Sequence, residues 1–285
     1  MIGVDAHQHF WRIARGDYGW LPAHPKIHRD CLPADLTPLL KGADISKTIL
    51  VQAAPTRAET EFLLGLARET PFVAGVVGWI DFEAPEAAED VARAAADPLL
   101  VGLRPMIQDL PIDDWMLSPA LTHVFRAMAT AGLRLDALVK PRHLAHLRKF
   151  LARHRELRVV IDHGAKPHIR SGEIEHWARE MRAIAQDTPA FCKLSGLATE
   201  ADEDWSDDDL RPYVDVLLES FGPQRLMWGS DWPVVNEGSG FTRWHEAAVA
   251  LTAHLSPGER DAIFGGTALA FYGLDEQEGT AHALP

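Results

Sequence analysis

The chain has 285 residues, and its 47% of apolar and 24% of charged residues exclude a disordered or fibrous protein. Its 41 acidic residues outnumber its 28 lysines and arginines, so the net charge of −13 provides no basic footprint for nucleic acid. Because the apolar runs are too short for a bilayer, no secretory signal is visible and only two cysteines are present, we expect a cytoplasmic protein without membrane partners.

Eight short runs rich in valine, isoleucine, leucine and glycine recur along the chain at intervals of roughly 25 to 45 residues. Continuous apolar runs, unlike alternating ones, are typical of parallel strands that are buried on both faces. The predicted strands are centred near Val4, Leu50, Val76, Val101, Leu135, Ile161, Leu194 and Trp228.

Segments with helical periodicity and recognisable N-caps lie between these runs. Thr56 with Glu59 forms a predicted capping box, and Ser118 precedes a proline at the start of another helix. Ser206 and Ser256 are the predicted N-caps of two further helices. Strands that alternate with helices in this order predict an α/β protein with a parallel sheet.

The pattern predicts a single-domain (β/α)8 TIM barrel over residues 1–274, followed by a polar C-terminal tail at 275–285. A doubly wound open sheet is the structural alternative. That fold would need a glycine-rich turn after the first strand, where this chain has His7, Gln8 and His9 instead. Two long loops, 11–33 and 199–209, follow predicted strands and are expected to form substrate walls or lids.

In such a barrel the reacting groups lie at the C-terminal ends of the strands. Because alternate strand residues share a face, we expect His163 to continue the inward row of Ile161, and Asp231 that of Met227. By the same rule Arg104 points inward at the end of the fourth strand. Taken alone, His163 also fits a structural histidine and Asp231 a helix N-cap, so the individual residues leave the function open.

The pair His7 and His9 is more specific. Two imidazoles two residues apart at a strand end converge on one point, as a transition-metal site requires. Together with His163 and Asp231 they form a set of inward polar groups on three strands. Packing alone does not readily produce such a set.

Four segments, DAHQHFW, VIDHGAKP, CKLSGL and MWGSDWPV, resemble the amidohydrolase superfamily, in particular its branch of fuconolactonase-like sugar-lactone hydrolases. The resemblance extends from the first strand to ALAFYGL near the end of the chain. It implies a barrel hydrolase in which His7, His9, His163 and Asp231 surround the hydrolytic water.

Two-metal members of that superfamily use a carboxylated lysine on strand four and a histidine on strand five. Here strand four offers Arg104 and strand five offers Asp136, so a bridged pair of metals is not expected. The ligand set His7, His9, His163 and Asp231 suits one Zn²⁺ or another divalent metal. Metal-independent action stays open as the alternative.

Asp231 is the predicted general base, and later the proton donor, with His163 as its catalytic partner. Without a metal, His163 and a histidine of the first strand would donate hydrogen bonds to the developing oxyanion. Arg104 either grips substrate oxygens or forms a salt bridge at the barrel mouth. Lys193 either contacts substrate or pairs with Asp231. The remaining predicted substrate-binding residues are Gln52, Trp79 and Trp232.

These residues predict a lactonase that opens a sugar-derived lactone to the hydroxy acid in carbohydrate catabolism, with a small-molecule lactone as its partner. The alternatives are hydrolysis of carboxylated lactones from aromatic breakdown, non-oxidative decarboxylation, and a ligand-binding barrel without catalysis. The carboxylated substrates would favour several arginines at the mouth, whereas the strand ends offer mainly Arg104. Fold alone does not separate these activities, and no oligomeric state is predicted.

Overall fold

In a computed structural model, which describes residues 2–274, eight parallel strands neighbour one another in chain order. They confirm the eight predicted strands and the (β/α)8 barrel. The predicted tail, 275–285, lies outside the described residues. The strands are β1 (Gly3–Gln8), β2 (Ile45–Val51), β3 (Val73–Gly78), β4 (Leu100–Leu103), β5 (Arg134–Ala137), β6 (Val159–Ile161), β7 (Phe191–Leu194) and β8 (Leu226–Trp228).

Helices follow the strands and pack on the outside of the sheet. Five of the eight connections from a strand to the next helix also carry short 3-10 turns, and a π-helical turn, Ala262–Gly266, precedes the last helix. The α-helices are α1 (Pro33–Gly42), α2 (Arg57–Glu69), α3 (Ala87–Ala94), α4 (Thr122–Thr130), α5 (Leu144–Arg153), α6 (Glu175–Asp187), α7 (Leu197–Glu200), α8 (Asp207–Phe221), α9 (Phe241–Leu251), α10 (Pro257–Asp261) and α11 (Thr267–Tyr272).

The predicted helix starts agree with the structure. The Thr56 hydroxyl accepts a hydrogen bond from the Glu59 amide at 3.0 Å, and α2 begins at the next residue after this cap. Ser206 and Ser256 stand at the N-caps of α8 and α10. Ser118 precedes a 3-10 turn that leads directly into α4. Local capping chemistry therefore fixes where several of the outer helices begin.

The barrel is closed by hydrogen bonds between the end of β1 and the segment that follows β8. The amide of Asp231 donates to the carbonyl of His7 at 2.8 Å, and the amide of His9 donates to the carbonyl of Trp232 at 2.7 Å. The seam between the first and last strands therefore holds four of the predicted site residues side by side.

Apolar side chains fill the interior of the barrel below this rim. Val4, Val77, Val160 and Met227 belong to one interior cluster, which Phe271 of α11 joins. Because the interior is packed rather than hollow, ligands reach only the rim at the C-terminal ends of the strands. No helix formed by residues 2–274 is long and apolar enough to cross a membrane.

Candidate active site

The structure brings the four predicted ligand residues together at the C-terminal end of the barrel. His7 Nε2 lies 3.2 Å from His9 Nε2, and His9 Nε2 lies 3.2 Å from Asp231 Oδ1. His163 Nε2 approaches the same Asp231 oxygen to 3.9 Å. All four side chains are buried. The sequence prediction therefore located a real cluster on β1 and on the segments after β6 and β8.

The predicted alternation along β6 is wrong. Val160, not Ile161, points into the barrel, because Ile161 packs in the outer layer between sheet and helices. His163 reaches the site for another reason: the chain turns after β6, and His163 takes a left-handed φ of 55°. Asp231 also has a positive φ, 56°. Such conformations cost of order 1–3 kcal/mol for residues other than glycine, and surrounding contacts must hold them.

Asp5 supplies those contacts for the turn that carries Asp231. One Asp5 oxygen accepts the amide of Ser230 at 2.8 Å and the other accepts its hydroxyl at 2.5 Å. The Ser230 hydroxyl oxygen in turn accepts the amide of Trp232 at 2.9 Å. Burial raises the pKa of Asp5 to about 7 despite these hydrogen bonds. Asp5 therefore ties β1 to the strained turn after β8.

Hydrogen bonds fix which nitrogen of His9 carries its proton. Nδ1 lies 2.8 Å from the carbonyl oxygen of Val51, which only accepts, so Nδ1 donates and Nε2 presents a lone pair. Burial lowers the pKa of His9 and lowers that of His163 to about 4, so both rings are neutral at neutral pH. Burial alone would raise the pKa of Asp231, but the neighbouring histidines outweigh it and hold that pKa below its usual range.

These donors suit one divalent cation. Zinc–nitrogen bonds of about 2.0–2.1 Å in a tetrahedral site separate neighbouring ligand atoms by about 3.3 Å. The two Nε2 atoms of His7 and His9 are 3.2 Å apart, and Asp231 Oδ1 lies 3.2 Å from His9 Nε2 and 3.8 Å from His7 Nε2. Two neutral imidazoles and one carboxylate are ligands that zinc commonly takes. A second set of three, His7, Asp162 and His163, also places its ligand atoms within 4.8 Å of one another.

Beneath His7 lies a buried network of charges that sequence reasoning did not predict as a unit. Lys193 Nζ donates to Asp136 Oδ2 at 2.5 Å, forms an ion pair with Asp162 Oδ1 at 3.1 Å, and lies 3.1 Å from His7 Nδ1. Burial alone would raise the pKa of Asp162, but Lys193 and His7 hold it well below its usual range. The Tyr272 hydroxyl donates to Asp136 Oδ2 at 2.8 Å. The structure thus places Lys193 below the histidines, paired with these two carboxylates.

Arg104 and Gln52 are joined by reciprocal hydrogen bonds at the rim of the barrel. Arg104 donates to Asp162 Oδ2 at 3.3 Å and to the carbonyl of Gln52, while the Gln52 amide group donates to the carbonyl of Arg104 at 2.8 Å. Arg104 also lies 3.3 Å from His7 Nε2 and still lines the cavity above the site. The predicted salt bridge at the barrel mouth is therefore present, with Asp162 as its partner.

A cavity of about 350 Å³ opens above His9, His163 and Asp231. Its size falls within the range of small-molecule sites, roughly 300–1,000 Å³. Lys166 is a wall residue that the sequence prediction missed, although it follows His163 by three residues in the same left-handed turn. The rest of the wall includes Trp20, Gln108, Thr199, Glu200 and Glu237.

The two predicted long loops contribute unequally to this wall. Trp20 comes from loop 11–33, and its indole nitrogen donates to the carbonyl of Ala53 at 2.7 Å. Only the start of loop 199–209 lines the cavity, because Trp205 is buried against Arg243 elsewhere. Trp232 is buried, with its ring against Phe10, and does not line the cavity. Trp79 lines a neighbouring cavity instead.

Comparison with known proteins gives consistent results. The sequence profile of the amidohydrolase family matches residues 4–274. An L-fucono-1,5-lactonase from Burkholderia ambifaria is 44% identical, with 98% of each chain aligned, and one from Burkholderia multivorans is 37% identical over 96% of this chain and 97% of that protein. A solved amidohydrolase structure from Burkholderia multivorans with bound zinc has 36% identity and a TM-score of 0.90, covering 96% of this chain and 99% of that one.

Proposed function

The chain belongs to the amidohydrolase family, and we propose that its substrate is the six-membered lactone of a deoxyhexonic acid such as L-fucono-1,5-lactone. The protein is a lactonase: it opens a sugar-derived lactone to the hydroxy acid. The observation that carries the finer proposal is the composition of the cavity wall directly above Asp231.

That wall favours a neutral polyhydroxylated substrate. It contains the carboxylates of Asp109, Glu200 and Glu237 besides Asp231, and these accept hydrogen bonds from hydroxyl groups. Its positively charged side chains are Arg104 and Lys166, and Arg104 is already paired with Asp162. A dicarboxylate substrate would therefore meet more negative than free positive charge, which disfavours the carboxylated lactones.

In the proposed reaction Asp231 accepts a proton from the attacking water. Its carboxylate lies at the floor of the cavity with His9 and His163 beside it, and its low pKa keeps it ionised at neutral pH. The water oxygen forms a bond to the lactone carbonyl carbon, and the bond from that carbon to the ring oxygen breaks. Asp231 then returns the proton to the ring oxygen, which leaves as the alcohol of the hydroxy acid.

The neighbouring side chains bind and orient. His9, His7 and Asp231 would hold a metal ion, and His163 lies within reach of the same carboxylate; when bound, the ion would polarise the carbonyl and acidify water. Ser195 Oγ lies 2.9 Å from His163 Nδ1 and fixes the orientation of that ring. We propose that Lys166 donates a hydrogen bond to a substrate oxygen at the rim of the cavity.

The finer attributes follow from the same proposal. We propose that the bound metal is one Zn²⁺, that the protein acts in carbohydrate catabolism, and that it works in the cytoplasm. We also propose that residues 1–274 form the catalytic barrel. The zinc in the solved amidohydrolase structure supports the choice of metal.

Hydrolysis can be followed directly, because each lactone that is opened releases one proton near neutral pH. A pH-stat assay with freshly prepared L-fucono-1,5-lactone, other deoxyhexono- and hexono-lactones, and a carboxylated pyrone tests the proposal. We expect the fastest turnover with a deoxyhexonolactone. No turnover of any sugar lactone above the spontaneous rate would refute the proposed function.

A further inference from the structure

A second cavity of about 450 Å³ adjoins the active-site cavity at the barrel mouth. Trp20, Met106 and Asp109 line both cavities, so the two cavities are direct neighbours. We call the second cavity the tryptophan chamber. Its aromatic walls are Trp20, Trp79, Phe82 and Trp115.

Two of these aromatic rings, those of Trp20 and Trp79, are partly exposed and available to a ligand. Trp20 is 43% exposed even though its indole nitrogen is bound to a backbone carbonyl, and Trp79 is half-buried. Trp115 packs edge-on against Phe82 at 5.9 Å and is held by a hydrogen bond to Glu83 at 3.2 Å. The chamber therefore has fixed aromatic faces rather than loose side chains.

The charged groups of the chamber all have the same sign. Asp17, Asp81, Glu83 and Asp109 line it, and none of its lining residues is a lysine, arginine or histidine. Asp17 pairs with Arg15, but Asp81, Glu83 and Asp109 form no ion pair with any side chain in residues 2–274. An anion, including an aldonate product, is repelled from such a chamber.

Apolar ring faces surrounded by hydrogen-bond acceptors match a neutral sugar ring. Its C–H face packs on an indole, and its hydroxyl groups donate to carboxylates. Because the chamber opens beside the lactone cavity, a sugar linked to a lactone hydroxyl can occupy both cavities at once. A small free amine would gain the same charge attraction and a cation–π contact, but it would not extend from the chamber into the lactone cavity.

We propose that the tryptophan chamber binds the neutral glycosyl unit of a glycosyl-aldonolactone, so that the enzyme also opens lactones derived from disaccharides. This inference rests on the proposed lactonase function. One water is consumed: its oxygen bonds to the carbonyl carbon, the ring carbon–oxygen bond breaks, and the ring oxygen takes the proton. The glycosidic bond is unchanged.

The test compares L-fucono-1,5-lactone with 1,5-aldonolactones prepared from disaccharides linked through O2, O3, O4 or O6. Leu110→Trp fills the chamber from its half-buried wall, and Glu83→Gln removes one charge while keeping an oxygen for Trp115. Val249→Trp adds the same bulk at an exposed site of α9 and is the matched control.

We expect at least one disaccharide lactone to be hydrolysed as efficiently as the monosaccharide lactone. Leu110→Trp should lower its kcat/KM about tenfold, equivalent to about 1.4 kcal/mol, and Glu83→Gln should lower it less. The monosaccharide lactone should change by less than about twofold in both variants, because the lactone cavity is untouched. Val249→Trp should leave both substrates unchanged.

The proposal is overturned if no disaccharide lactone is hydrolysed while the monosaccharide lactone is. It is also overturned if Leu110→Trp lowers both substrates by the same factor. Failure of every lactone would instead refute the proposed function. In that case the binding of neutral methyl glycosides tests the chamber, and tryptophan fluorescence measures it in wild type and Leu110→Trp. Binding that is lost in the variant supports the proposed sugar site. No binding to wild type refutes that site.

Discussion

The lone pair of His9 Nε2 faces Asp231 Oδ1 at 3.2 Å, so two hydrogen-bond acceptors meet at the centre of the site. Two acceptors at that distance repel each other unless a proton or a cation lies close to both. His7 offers the proton when Lys193 donates to its Nδ1, because its Nε2 then carries hydrogen and points at His9. A divalent cation relieves the same repulsion by binding both atoms.

This geometry predicts the metal content. A cation on His7, His9 and Asp231 is adjacent to the guanidinium of Arg104, 3.3 Å from His7 Nε2, and this charge disfavours a second ion nearby. Elemental analysis should therefore give no more than about one metal per chain, the capacity of this ligand set. Chelation should abolish turnover, and zinc should restore it.

Either of two results would contradict that expectation. Two tightly held equivalents of metal would mean that Arg104 does not exclude the second ion. Full activity after chelation, with metal absent by elemental analysis, would mean that the histidines act as hydrogen-bond donors instead.

Asp231→Asn should slow hydrolysis of sugar lactones at least about a hundredfold, as expected when a general base is lost. The side chain keeps its shape, so thermal unfolding should remain close to that of wild type. Asp187→Asn, at an exposed ion pair with Arg148, is the matched control and should retain full activity. Near-native turnover of Asp231→Asn would remove this residue from the mechanism.

Substrate preference should follow the charge of the cavity wall. Deoxyhexono- or hexono-lactones should be hydrolysed faster than carboxylated pyrones or muconolactones, because Glu200 and Glu237 face any added carboxylate and Arg104 is already paired. Initial rates in a pH-stat at equal concentration measure the ratio. A tenfold advantage for the dicarboxylates, about 1.4 kcal/mol, would show that Lys166 and Arg104 together recognise anions.

How much of this site was predictable depends on where the backbone is regular. The strands, the barrel and the four clustered residues follow from apolar runs and from histidines and an aspartate at strand ends. On β6 the predicted alternation has the wrong phase, since Val160 and not Ile161 faces the interior. The strand then ends at Ile161, and the following turn presents both Asp162 and His163 to the site. Lys166 was missed for the same reason, since periodicity carries no information within a left-handed turn.

A substitution of Lys193 distinguishes a structural role of this residue from a role in substrate binding. Lys193→Met leaves Asp136 and Asp162 buried without their ammonium partner, which should destabilise the protein by about 3 kcal/mol or more. Urea unfolding measures the loss, and Lys149→Met on the exposed side of α5 is the control. A raised KM with unchanged stability would instead place Lys193 on the substrate.

Glu59 should make the stability of the protein depend on pH. Its carboxylate is buried and accepts the Tyr18 hydroxyl at 2.6 Å and the Ala53 amide at 3.2 Å, which ties loop 11–33 to α2. Burial raises the pKa of Glu59 from 4.5 to about 6, although these hydrogen bonds lower it. The folded protein therefore binds this proton more tightly than the unfolded chain does.

The sign of the effect follows from that difference. The contribution of Glu59 is most favourable below pH 4.5, and it is lost as the pH rises through about 6. At 1.36 kcal/mol per pKa unit, the loss is about 2 kcal/mol.

Glu59→Gln has no proton to lose, so its stability relative to wild type should improve by about that amount between pH 4 and pH 7.5. Urea unfolding of both proteins across this range measures the difference, with Glu61→Gln on the exposed face of α2 as the control. A difference that stays constant with pH, or that shifts in favour of wild type as the pH rises, would mean that Glu59 is ionised in the fold at no cost.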